Sequence, residues 1–549
     1  MSKFLSIDTE TDNEDPMKAN LRVVGVASSP TEAVCLSYPK DKDEIQRMLA
    51  SPLPKVAHNI KYDYKVLVRH GFTINGTLED TLIMSQMNGE LKSKDRELKT
   101  LLKELFNKDH IAFKDLMISR HKNVKKALWK ASNIPIKDIQ DHCVDDCKSV
   151  YSLFELLREI TDKECLRVYD EIEKPLLKVV LEMELKGIPV DLETVSSLIT
   201  EFEEEMRISR AYCYNYYGKE FNLNASLELE DVLFNKFKYP LIKFCSNGRP
   251  ATDEGTLHKL IKGGCVLTYY ILEYRKLSKV IKTYLNNYKK YAVNGKIYAN
   301  FQQTGTDTGR FSSSRPNLQN IHPEVLKCFT ASPGNILLSF DYKQMELILL
   351  AHLSKDKMLL EAALAGRDMH DETAAQLGVD RKSAKVINFG IPYRMGAWGI
   401  RGEMKKQGIY KYLEECQELI DKHKKKFSGV EEFANQMIAM GREKGYVETL
   451  TGRKRWVTQE DENEQHFESQ CVNSPIQGGC ADIIKIAMIN VAKYRYIPVV
   501  QVHDEVIFDV PIKEKETVIK IVTDCMQNAV KLSVPMRVEV SEGKTWEDL

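Results

Sequence analysis

Apolar residues near the start of the chain fall in three short runs, KFLSI, RVVGVA and EAVCLSY, separated by polar connections that contain proline. Short runs with such breaks predict a strand meander. The spacing then lengthens. Ile139, Cys143, Cys147, Val150, Leu153 and Leu157 recur with a helical period, predicting a helix from about Lys137 to Ile160 that leads to a boundary near residue 165. Beyond it, EKPLLKVVLEMELKGIPVD predicts a helix closed by Gly187 and Pro189, and a long helical region follows to about Asn287. Strands return afterwards: LSF leads into Asp341 ahead of a helical pattern, while PVVQV and VIFDV flank HDE as the two arms of a hairpin.

Composition narrows the class. At 549 residues, 43% hydrophobic and 29% charged, the chain is globular and long enough for two to four domains. Lys plus Arg equals Asp plus Glu at 79 each, so a surface for a polyanion must be local. Two segments are locally basic, Leu91 to Lys130 and Tyr274 to Lys296. The second holds seven Lys or Arg and no acid, with Tyr274, Tyr284, Tyr288 and Tyr291 interleaved. That suits a surface tracking a phosphate backbone, the plain alternative being a solvated helix face. Twelve cysteines without framework spacing fit free thiols in a reducing compartment. The N-terminus shows no signal or transit pattern, and LILLAHL falls far short of the roughly 20 residues that span a bilayer. The expectation is a cytoplasmic protein with no membrane partner.

Candidate chemistry lies in two acidic sets. Asp8 and Glu10 are two apart on a predicted strand, so they point to one side and can share a metal. Two acids at a strand end are commonplace alone. Here AHNIKYD adds Asn59 and Asp63, and DHCVDDC adds His142 and Asp146 at i, i+4 spacing. Three aspartates and a glutamate can hold two divalent cations, which activate water and neutralise a scissile phosphate. A zinc reading of His142, Cys143 and Cys147 lacks a second ligand pair at finger-like spacing.

The second set spans the C-terminal half. FDYKQMEL places Asp341 at the end of an apolar run, and VQVHDEVIFDV places Asp504 at a hairpin tip. Between them, DRKSAKVINFGIPY puts Arg381, Lys385 and Phe389 at i, i+4 and i+8 on one helix face. Two cations beside an aromatic ring suit a triphosphate joined to a base.

The first set, in its order, resembles the DEDD superfamily of 3'-to-5' exonucleases, and the other three segments resemble motifs A, B and C of family A DNA polymerases. TGTDTGRFSSSRPNLQNI, VNSPIQGGCADIIK, ILEYRKLSKVIKTY and the closing GKTWEDL extend the likeness over nearly the whole chain. The resemblance implies an α/β protein: a ribonuclease H-like exonuclease domain at 1–165, then a right-hand polymerase domain at 166–549. Within the hand it implies a thumb at about 176–300, a palm at about 301–350 and 471–549, and fingers at about 351–470. It implies a template-directed polymerase with proofreading, acting as a monomer on primer-template DNA and deoxynucleoside triphosphates with two Mg2+ per site, for which Mn2+ can substitute. Metal ligands carried over are Asp8, Glu10, Asp63 and Asp146 in one site, Asp341 and Asp504 in the other.

Further roles follow from the same likeness. Arg381, Lys385 and His370 are implied to hold the triphosphate, with Lys385 protonating the leaving group. Gln344 assists, Glu346 packs under the sugar C2' position, and Phe389 and Tyr393 line the nucleotide and template positions. Arg310, Asn473, Gln477 and His503 hold the primer-template end. His142 stands where the family has a tyrosine, as general base or as a group that positions water. Ser469, Ile348 and Arg394 also depart from the pattern, and Pro392 is expected to end the motif B helix early. Compactness and the lack of a large insertion at 222–300 suggest a replicative enzyme of a phage or phage-derived element in its host's cytoplasm. No processivity factor, helicase or primase is identified. Rival readings are a repair or translesion polymerase whose nuclease is lost, and a non-catalytic DNA-binding protein of the same fold.

Overall fold

The structure, a computed structural model, describes residues 3–89, 91, 95–111, 115, 134–457 and 464–549. The expected meander is present as three antiparallel strands, β1 (Leu5–Thr11), β2 (Leu21–Ala27) and β3 (Ala33–Ser37). Strands β4 (Lys55–Ala57) and β5 (Leu78–Asp80) join in parallel on the other side, giving the order β3-β2-β1-β4-β5. Helix α1 (Ile60–Arg69) follows β4, and α2 (Ile136–Ile160) fulfils the helix expected from Lys137. Its Cys143 and Cys147 settle over β2 at Gly25, where an added Cβ would lie 2.6 Å from either sulfur. Only glycine lets α2 approach this closely, and the approach brings His142 and Asp146 toward β1.

Helix α3 (Lys174–Lys186) ends at Gly187, whose φ of 61° is a conformation glycine adopts without strain. Its two faces serve two apolar cores. Leu177 and Leu181 join the N-terminal core, while Leu176, Val179, Val180 and Met183 join the larger C-terminal one. The helical region expected to reach Asn287 is interrupted, because residues 218–225 and 237–253 carry no helix.

The C-terminal sheet contains β6 (Asn335–Tyr342), β7 (Val500–Val502), β8 (Glu505–Pro511) and β9 (Val538–Gly543), antiparallel in the order β7-β8-β6-β9. β7 and β8 make the expected hairpin, with His503 and Asp504 in its turn. Helix α4 (Met345–Ser354) is apolar on nearly every side and is a core helix, with Leu347, Ile348, Leu349 and Leu350 all buried. Helix α5 (Arg381–Gly390) stops two residues before Pro392, in line with the donor that proline lacks. Helix α6 (Glu464–Ala492) carries Ile489, which packs against both cores.

The basic stretch at 274–296 is corrected in part. Arg275 donates to the carbonyls of Leu223 at 2.7 Å and Thr252 at 2.6 Å, and Tyr288 is fully buried. Those two groups close the fold and face no partner. Most of the other basic segment, Leu91 to Lys130, lies outside the described residues. No helix among the described residues is long and apolar enough to cross a membrane.

Candidate active sites

The first site forms where β1, α1 and α2 converge. Asp8 and Glu10 alternate with buried Thr9, whose backbone N–H and hydroxyl both donate to Asp63 Oδ1, at 2.9 and 2.7 Å. That clamp fixes the α1 aspartate against the β1 pair. The start of α1 is set by Asn59, at φ 67°, and by Asp80, which accepts from the N–H groups of Asn59 and Ile60 at 3.0 and 3.1 Å. The far side of α1 is anchored by Lys61 and Lys65, which reach the two oxygens of buried Glu184 at 2.6 and 2.7 Å. From α2, His142 Nε2 lies 3.3 Å from Glu10 and its Nδ1 3.5 Å from Asp146. All five expected residues therefore meet.

Their electrostatics call for cations. Burial, then the charges of Asp146 and Asp63, push the Asp8 carboxyl well above its usual range; burial and Asp8, Asp146 and Asp63 do the same to Glu10. Burial raises Asp63 to about 7 in spite of Thr9. Asp8 Oδ2 is buried and accepts no hydrogen bond among the described residues. Crowded, partly unsatisfied carboxylates of this kind fit hard divalent cations. Burial lowers His142, favouring its neutral form.

One participant was not foreseen. His110 places Nε2 2.9 Å from Asp146 and Nδ1 3.0 Å from Asp145. Burial opposes its charge, yet these hydrogen bonds push it up to about 9. A cavity of about 730 Å3 opens here, walled by His58, Gln86 and Arg96 and, from the C-terminal half, by Gln302, Gln303 and Thr304.

The second site forms on the C-terminal sheet. Asp341 sits opposite Glu505 on one side and Glu539 on the other, and Tyr342 N donates to the Asp504 carbonyl at 3.3 Å. Burial and the charges of Glu505, Asp504 and Glu539 raise Asp341 to about 6. Burial also raises Asp504, with Arg310 opposing. Again the acids are adjacent and short of positive charge. Glu505 and Glu539 were not foreseen as neighbours, although HDE placed Glu505 beside Asp504 in sequence.

Arg381, Lys385 and Phe389 are all exposed along α5, as their spacing predicts, and Phe389 keeps 39% of its surface open. Arg381 is held by Asp368 at 2.7 Å and Asp371 at 3.1 Å. His370 is buried beside Phe389, its Nδ1 3.1 Å from Asn388. Gln344 accepts from Met369 N at 3.1 Å, so it also fixes the helix Met369–Leu377. Glu346 pairs with Arg310 and accepts the Tyr393 hydroxyl at 2.6 Å. Arg310, His503 and Asp504 line one small hollow, and Asn473 and Gln477 sit half-buried one turn apart on α6.

The departures have local accounts. Arg394 adopts φ 62°, which favours glycine, and is held there by Glu431 at 2.8 Å and Asn435 at 2.7 Å. Ile348 is 8% exposed, packed in the core beside the Asp341 pocket. Ser469 is half-exposed on α6.

Comparison with known proteins finds relatives of both halves of the chain. Residues 192–548 match the family described as DNA polymerase family A, and residues 1–162 match a 3'-5' exonuclease family. DNA polymerase I of Synechocystis sp. is 32% identical over 98% of this chain and 59% of its own length. DNA polymerase I of Caldicellulosiruptor bescii is 33% identical over 91% and 58%, and that of Borreliella burgdorferi 32% over 100% and 63%. The chain thus spans about three-fifths of the length of these relatives. A solved structure of the POL domain of Pol1 from M. smegmatis, in complex with DNA primer-template and dNTP, superposes with a TM-score of 0.86 at 26% identity. The match covers 100% of this chain and 96% of that one. With the polymerase match over more than half of its residues and the exonuclease match ahead of it, the chain belongs to DNA polymerase family A.

Proposed function

We propose that this chain is a template-directed DNA polymerase that extends a primer 3' end and proofreads it by 3'-to-5' exonuclease action. The observation that carries the reading is the pair of separate carboxylate clusters, one in each matched region, each beside a cavity of nucleotide size. Asp341 and Asp504 would hold one set of divalent cations, Asp8, Glu10, Asp63 and Asp146 the other. When bound, Mg2+ or Mn2+ supplies the charge that lowers the basicity of the attacking oxygen and neutralises the phosphate.

The chain's own groups do the rest. Lys385, exposed on α5, meets the triphosphate and donates a proton to the departing pyrophosphate. Arg381 turns from Asp368 and Asp371 to the same phosphates, joined by His370. Phe389 stacks on the base and Tyr393 closes the template side. Arg310, Asn473, Gln477 and His503 contact the primer-template minor groove and backbone, which every base pair offers. In the nuclease, His142 lies between Glu10 and Asp146, where it orients the attacking water. A labelled primed template, matched or mismatched at its 3' end, tests the whole reading. Metal-dependent extension of the first and trimming of the second are expected. Binding without either reaction would favour the non-catalytic rival.

Sugar selection follows from Glu346. Tied to Arg310 and Tyr393, its carboxylate is rigid, and packed under C2' it excludes a 2'-hydroxyl. Glu346→Ala is expected to raise the ribonucleotide to deoxynucleotide ratio of kcat/KM by on the order of tenfold, or about 1.4 kcal/mol. Phe389→Tyr should improve dideoxynucleotide use by placing a phenol where the 3'-hydroxyl is missing. Unchanged ratios in both variants would misplace the nucleotide pocket.

A further inference from the structure

We propose that Arg537, at the start of the edge strand β9, is a further binding residue for the β- and γ-phosphates of the incoming nucleotide and for the pyrophosphate that leaves. The inference rests on the polymerase reading above and concerns the side of that site away from Asp504.

Register places Arg537 there. In the β6–β9 pair Asp341 lies opposite Glu539, and the Lys343 N–H donates to the Arg537 carbonyl at 2.9 Å. Side chains two residues apart on a strand share a face. Asp341, Lys343, Glu539 and Arg537 therefore project to one side of the sheet. They border a cavity of about 670 Å3 that Arg367, Asp368 and Arg381 also line.

The cavity's other cations are neutralised within the protein. Lys343 pairs with Glu539, Arg367 with Glu372 at 3.1 Å, and Arg381 with Asp368 and Asp371. The Arg537 guanidinium has no ion pair or hydrogen bond among the described residues. It lies beside Gly366, which turns at φ 68° and where an added Cβ would sit 2.0 Å from Nη2, so a side chain there would displace the guanidinium. An unpaired planar fork that borders a cavity shared with Asp341 and Arg381 suits the oxygens of a polyphosphate. With the reacting phosphorus at Asp341, the chain of phosphates crosses this cavity, Arg381 meeting it from α5 and Arg537 from the sheet. Arg537 adds a second cation that no helix motion has to deliver.

The test uses the full chain and its Arg537→Leu, Arg537→Gln and Arg537→Lys variants on a primed template with Mg2+. Single-nucleotide insertion gives the KM for a deoxynucleoside triphosphate. Formation of labelled deoxynucleoside triphosphate from labelled pyrophosphate gives the KM of the reverse reaction, and nuclease action cannot form that product. Primer-template affinity is read by fluorescence anisotropy. Arg537→Leu and Arg537→Gln are expected to raise both KM values about tenfold, the scale of one lost charge-assisted contact, with primer-template affinity unchanged. Arg537→Lys should recover part of the loss. Unchanged KM values in Arg537→Gln overturn the inference, as does weakened DNA affinity with unchanged KM, which would make Arg537 a DNA contact. If Arg537→Leu also loses nuclease activity its fold is compromised, and the Gln and Lys variants decide. Wild-type protein that neither extends a primer nor forms the labelled triphosphate would instead defeat the polymerase reading itself.

Discussion

Alanine at Asp341 or at Asp504 is expected to slow primer extension about a thousandfold or more, a loss of about 4 kcal/mol of transition-state stabilisation, while trimming of a mismatched primer persists. Asp8→Ala combined with Glu10→Ala should do the reverse. The independence is built into the fold, since Asp8 and Glu10 belong to the N-terminal sheet and Asp341 to the C-terminal one. A gel assay of both reactions on one labelled substrate reads the outcome. Loss of both activities from a single change in folded protein would sink the two-site arrangement.

Folding is checked by a sign argument. Burial and three neighbouring acids raise Asp341 to about 6, above its ordinary 3.8, so between those pH values the folded protein holds more protons than the unfolded one. Stability from this group is present below about 3.8 and is lost as pH rises through 6. At pH 7 without metal the ionised carboxylate thus works against the fold. Asp341→Asn in a chelating buffer should melt no lower than wild type, so its lost activity would be chemical.

Local pattern made much of this legible. The 3.6 period of α2 and the i, i+4, i+8 stripe of α5 follow from which side faces the core, and the two-residue spacing of Asp8 and Glu10 follows from the strand repeat; a short window contains that information. What required the structure depends on distant partners. His110 lies in no periodic or motif context and becomes part of the nuclease site only by reaching Asp145 and Asp146. Glu539 and Arg537 acquire meaning from strand register with β6. Lys61 and Lys65 flank Asp63, and both are buried on Glu184, a partner that no local window contains. Helix α6 runs through Pro475 with Ser474, Pro475 and Ile476 all buried, so packing overrides the local preference against proline inside a helix.

The same dependence on distant partners gives the largest expected stability change. Glu173, 0% exposed, accepts from Lys485 Nζ at 2.5 Å, from Gln303 Nε2 at 2.7 Å and from Arg453. Arg453 also donates through Nε to Asp482 at 2.7 Å. Burial works against the Glu173 charge, but Lys485 and Arg453 hold its carboxyl below the usual range, while burial brings Lys485 down to about 8. Two acids and two bases are balanced out of water, so removing one partner strands a charge. Glu173→Leu is expected to destabilise by about 3–5 kcal/mol, and adding Lys485→Met should recover much of it by removing the stranded ammonium. Denaturant titration of wild type, both single variants and the double measures the coupling. A double variant as unstable as the sum of the singles would show that the cluster contributes shape and no charge pairing. A functional consequence follows from Gln303, which Glu173 holds and which walls the nuclease cavity. Under conditions where Glu173→Leu remains folded, its KM for trimming a mismatched primer should rise further than its KM for nucleotide insertion, because the loosened wall borders the first reaction's pocket alone.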